Sequence, residues 1–106
     1  MILLPATRAL YAATEPVHLR ASLDVLFAVA RDQLGLDVMR SAVVLFFNRD
    51  RTRCKLLFHD GSGFVLLYKR LDRGHFARLE PTRPADRSVT LQARELAVLL
   101  EGVRTR

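Results

Sequence analysis

Apolar and polar positions follow two periods along this chain, and each change of period marks an element. Arg8 to Ala13 alternates as a short strand, with Ala9, Tyr11 and Ala13 on one side. Thr14-Glu15-Pro16 breaks that run. From His18 the period becomes helical. Leu19, Leu23, Leu26, Phe27, Ala30 and Leu34 recur at spacings of four, three, one, three and four, which makes one apolar stripe. Arg20, Asp24, Arg31 and Asp32 fall off the stripe, and Gly35 is a natural C-terminal stop.

The middle of the chain reads as strands. Ala42 to Phe47 is continuously apolar and rich in β-branched and aromatic residues, as a buried strand is. Asn48 to Thr52 is its polar turn, Cys54 to His59 the returning strand, and Phe64 to Arg70 the third. Asp60-Gly61-Ser62-Gly63 supplies the positive-φ positions that the hairpin between them requires. Phe76 to Leu79 is expected as a short fourth strand, and Glu80 to Arg87, with Pro81 and Pro84, as a loop. The last element is a helix. With Gln92 as N-cap, Glu95 completes a capping box and Leu91 staples onto Leu96, with Thr90 as the rival cap. Leu96, Leu99, Leu100 and Val103 form its stripe, and Gly102 closes it. Short turns between successive strands favour antiparallel pairing, since parallel neighbours need a crossover of roughly a dozen residues or more. The predicted fold class is α+β: an antiparallel β-meander of three to five strands with two packed α-helices, in a single domain over residues 1–106.

Composition supports a packed core and directs attention to anions. Half of the 106 residues are apolar, and the net charge is +6. The charge is uneven: from Arg49 to Arg87 there are ten Lys or Arg against five Asp or Glu, whereas the other 67 residues carry seven against six. Of the 17 cations 15 are Arg, which suits bidentate phosphate or guanine contacts but also follows from GC-rich coding. Cys54 is the only cysteine, so there is no disulfide framework or thiolate metal set, and it reads as a small buried hydrophobe. Met-Ile-Leu-Leu-Pro at the start is too short for a signal peptide or a membrane span, so a soluble, cytoplasmic protein is expected.

Two basic clusters are candidates for contact with nucleic acid. Lys69, Arg70 and Arg73, with His75 nearby, follow the third strand, and Tyr68 or Phe76 is placed to stack on a sugar or base. Arg49, Arg51, Arg53 and Lys55 alternate, so an extended chain points all four the same way. Each cluster has an ordinary alternative. The first is also a solvated strand end, and the second a hairpin tip whose charges discourage edge pairing. Asp50 interrupts the second cluster, and a turn there breaks the alternation.

Catalytic chemistry finds no support. Asp60 and Asp72 stand at opposite ends of one strand, tens of ångströms apart in order of magnitude, and Asp24 has no acidic partner at helical spacing. His18, His59 and His75 share no metal-ligand spacing. None of Ser22, Ser41, Ser62 and Ser88 sits in a nucleophile elbow. No enzyme, cofactor, metal or membrane partner is expected.

The string Lys55-Leu56-Leu57-Phe58, then Asp60-Gly61-x-Gly63, then Tyr68-Lys69-Arg70-Leu71-Asp72-Arg73-Gly74-x-Phe76 resembles the TnpB-type accessory protein of the IS66 group of bacterial insertion sequences. That protein is the product of the element's second open reading frame. The ending Leu96-Ala97-x-Leu99-Leu100-Glu101-Gly102 is similar too. The chain departs from the family pattern at Phe58-His59, at Leu19-Arg20-Ala21-Ser22, at the cap Gln92 and at Ala77-Arg78-Leu79. The resemblance implies a non-catalytic role in transposition beside a large DDE-type transposase, with DNA or that transposase as direct partner. By resemblance, Lys69, Arg70 and Arg73 match the motif's cations, and Lys55 matches a basic position opening the preceding strand. The expected nucleic-acid-binding set is Lys55, Lys69, Arg70 and Arg73 with Arg49, Arg51 and Arg53.

Overall fold

The computed structural model describes residues 8–18 and 20–104. Five strands form one sheet: β1 (Ala9–Ala13), β2 (Ala42–Phe47), β3 (Arg53–His59), β4 (Phe64–Arg70) and β5 (Ser88–Leu91), in the order β4-β3-β2-β1-β5. Helix α1 (Leu23–Ala28), continued by a π-helical turn over Val29–Gln33, and helix α2 (Ala93–Glu101) pack on opposite faces.

The two faces follow from the strand period of two. Leu10, Ala12, Val43, Leu45, Phe47, Leu56, Phe58 and Val65 pack with Leu96 and Leu99 of α2. Ala13, Ala42, Val44, Phe46 and Leu57 pack with Leu26, Ala30 and Val38 on the other side. Covering on both sides is why all six residues of β2 are buried and why its sequence is continuously apolar.

The α+β class and the strand count hold, and β2-β3-β4 is the antiparallel meander expected. Three details differ. First, β1 pairs with β2 in parallel, Ala9 opposite Ala42, because residues 14–41 are long enough to carry α1 across a face between them. Second, Phe76 to Leu79 is not a strand. The guanidinium of buried Arg51 takes the carbonyls of Phe76 and Ala77, leaving that stretch no ladder to join. The fifth strand is Ser88–Leu91, antiparallel to β1. Third, α1 begins at Leu23 and not near His18. Ser22 caps it by accepting the Val25 N–H, while His18 Nδ1 accepts the Arg20 N–H in a separate turn. Leu19 of the expected stripe lies outside the described residues. The stripe's end is π-helical, with Leu34 N–H donating to Val29 O at 3.1 Å.

Candidate nucleic-acid interface

The strand directions bring Ala13, Phe47, Arg53, Arg70 and Ser88 to one end of the sheet. Two basic stretches that are separate in sequence meet there. Arg53 is the register partner of Arg70, and Lys55 that of Tyr68. Strand alternation turns all four to the face that α1 covers. That cover rests on Phe64 and Leu66, with the Phe27 and Phe64 rings 5.0 Å apart, and stops short of Tyr68.

The uncovered part of the face is an open cleft of ≈ 910 Å³. Lys55, Leu66 and Tyr68 form its floor, Arg49, Asp50 and Arg53 one end, and Pro16, Val17, His18 and Arg20 the far wall. Hydrogen bonds fix these walls to the sheet. Val17 N–H donates to Phe47 O at 2.9 Å, and Lys55 Nζ to Ala21 O at 3.1 Å. Asn48 Oδ1 accepts the N–H groups of Thr52 and Arg53 at 2.9 and 3.0 Å, which holds the β2–β3 turn. Among the described residues, no carboxylate lies in ion-pair contact with Arg20, Arg49, Arg53 or Arg70; the salt bridge present is Arg31–Asp32, elsewhere on the surface.

The expected cations divide into different roles. Arg49, Arg53 and Lys55 line the cleft, and Arg70 stands beside Arg53 at its margin. Arg73 is exposed in the loop after β4. Lys69 points to the opposite face, where its Nζ donates to Leu100 O at 2.7 Å and satisfies a carbonyl at the end of α2. Arg51 does not share a direction with its neighbours. It sits at φ 58° in the turn, is only 8% exposed, and stacks 4.1 Å from the Phe47 ring centroid. Burial, and after it the charge of Arg78, hold its pKa below the usual arginine value. Its partners are two main-chain carbonyls of the 76–77 stretch, so it fastens that stretch to the core. Phe76 is fully buried and stacks on nothing outside; His75 exchanges main-chain hydrogen bonds with Val103.

Arg20 and His18 complete the cleft and were not in the expected set. Arg20 read as an off-stripe helix position, and only the parallel β1–β2 pairing carries the segment after β1 to this end. The remaining reactive groups are quiet. Burial pushes the Cys54 thiol up to about 11. Asp60 Oδ1 accepts from the Ser62 and Gly63 N–H groups, which hold its carboxyl below the ordinary value. Among the described residues, no three His, Cys, Asp or Glu side chains converge to hold a metal ion, and no helix is long and apolar enough to cross a membrane.

A family model described as IS66 Orf2-like protein matches residues 8–106. The chain belongs to that family. No curated protein and no solved structure matches it. Members of the IS66 Orf2-like family are insertion-sequence accessory proteins, not known enzymes. Within this IS66 Orf2-like chain the central and terminal motifs touch. Lys69 meets Leu100, Leu71 lies against Gly102, and Gly74 against Val103. Much of the central motif therefore builds the joint between β4 and the end of α2. Asp60, Gly61, Tyr68, Lys69, Arg70, Asp72 and Arg73 are its exposed members.

Proposed function

We propose that this insertion-sequence accessory protein acts in the cytoplasm, without a cofactor, by binding DNA through the basic end of its sheet. The observation that carries the reading is the juxtaposition of Arg53 and Arg70 beside Arg20 and Arg49, with no carboxylate among the described residues paired to any of them. Like charges directly opposite on a sheet destabilise it. A polyanion neutralises them, and their counterions leave on binding. A gel-shift titration of element-end and random duplexes at two salt concentrations tests this. Binding that weakens with salt for both sequences, and weakens further in Arg53→Ala and Arg70→Ala, is the expected result. No retardation of either duplex or of its separated strands at low salt refutes it.

A second reading rests on different residues. Leu67 on the edge strand β4 and Val98 on α2 are exposed, Val98 at 74%. They suit an adaptor that docks on the element's DDE transposase without touching DNA. Co-purification with the transposase that survives nuclease treatment, and is lost in Val98→Asp, distinguishes this from DNA binding.

A further inference from the structure

The cleft contains something that phosphate neutralisation does not require. Tyr68 lies in its floor, 53% exposed, on the same face as Arg53, Lys55 and Arg70. Lys55 Nζ stands 6.0 Å from the ring centroid and is itself tied to Ala21 O, so a fixed cation lies to one side of the ring. An exposed aromatic ring in a basic groove is a stacking platform, and stacking needs a base whose face is free. A duplex keeps its base faces stacked inside and offers a surface groove only phosphates and base edges. The space inside the cleft, ≈ 910 Å³, is the scale of a small-molecule site and has room for a few nucleotides.

We infer that the ligand of this cleft is single-stranded DNA, with one base stacked on Tyr68 and flanking phosphates met by Arg20, Arg49, Arg53 and Arg70. The inference rests on the DNA-binding reading above and narrows it to the strand form. Pro16, Val17, His18 and Arg20 line the cleft across from Tyr68. The pinned walls mean that the groove exists before the strand arrives, so little ordering opposes binding.

The chain supplies its own probe, because it has two tyrosines and no tryptophan, and the other tyrosine, Tyr11, is half-buried on β1. Full-length protein is titrated with a labelled oligo-dT and with a duplex of equal length, following label anisotropy and tyrosine fluorescence. The expected result is tighter binding of the single strand, with quenching of tyrosine emission that Tyr68→Phe abolishes while retaining affinity. Tyr68→Ala should weaken single-strand binding about tenfold or more and leave duplex binding unchanged. Circular dichroism checks that both variants fold. If Tyr68→Ala weakens neither form, or both equally, while Arg53→Ala and Arg70→Ala still weaken binding, the single-strand inference fails and the DNA reading stands. If wild-type protein binds neither form, both fail.

Discussion

Arg53 and Arg70 stand opposite one another across the β3–β4 ladder, two like charges in register on an exposed face. A sheet selected for stability alone would place unlike charges there. Arg70→Glu should therefore raise stability by about 0.2–1 kcal/mol, as opposite-charge cross-strand pairs do. The same change should weaken DNA binding and flatten its salt dependence. Urea unfolding together with salt-dependent gel shifts checks both, and the opposite signs are the signature of a position kept for binding. Loss of both stability and binding would make the pair structural.

Lys69 separates from the cations around it. Its hydrogen bond to Leu100 O joins β4 to the end of α2, where a cation also meets the helix dipole favourably. Lys69→Ala should lower stability by about 0.5–1 kcal/mol and leave DNA affinity within about twofold, since the side chain points away from the cleft. Thermal unfolding and the same gel shift read the two quantities.

Arg51 is the interior cation. Its fork matches two carbonyls and its flat face covers Phe47, so removing it strands two main-chain acceptors and a buried apolar ring. Arg51→Met should destabilise the fold by about 2–4 kcal/mol. Arg51→Lys should recover little, because an ammonium cannot make the planar forked contact. Denaturant midpoints of the two variants check this.

Asp60 gives the acid dependence a local origin. Its carboxylate accepts two main-chain N–H bonds and the Ser62 hydroxyl, so its folded pKa lies below the 3.8 of an unperturbed carboxyl. A carboxylate with a depressed folded pKa contributes stability that is present above the unfolded value and is lost as pH falls through the folded one. Asp60→Asn keeps an acceptor oxygen but cannot titrate. Its urea midpoint should therefore vary less with pH than wild type across about pH 2 to 5. Identical slopes would show that the turn does not distinguish the ionised form.

The extent to which the sequence disclosed this arrangement depends on the distance over which each signal acts. β2 and the hairpin of β3 and β4 are legible because burial, turn chemistry and pairing all fall within a few residues. So is the cap of α2, where Gln92 N–H donates to Glu95 Oε1 at 2.9 Å. β5 has only four residues and depends on pairing with β1, far away in sequence, so local pattern is silent about it. The cleft is half legible. Arg49, Arg53, Lys55 and Arg70 are visible as cations, but their gathering depends on the β3–β4 register, and Arg20 joins them only through the parallel β1–β2 pairing. Composition registers the charge of Arg51 and Lys69 but not their direction. Each satisfies main-chain carbonyls in place of solvent or ligand.

Gly74 is where the central motif meets Val103, the residue that follows the terminal motif. At φ 76° it occupies the left-handed region, and a Cβ there would stand 2.0 Å from the carbonyl oxygen of Val103. That oxygen already accepts the His75 N–H at 3.0 Å, and His75 O in turn accepts the Val103 N–H at 2.7 Å. A methyl group would thus force apart the bridge that closes the chain end onto the loop after β4. Backbone cannot yield as a flexible side chain can, so conformational strain and collision act together. Gly74→Ala should cost about 2–3 kcal/mol. The loss should appear first as faster amide exchange at His75 and Val103, ahead of any change in β2. Gly61→Ala is the control, since it shares the positive φ at 104° but meets nothing within 4 Å. A Gly74→Ala variant no less stable than Gly61→Ala would mean that the bridge shifts without cost and that the Gly74–Val103 approach is incidental.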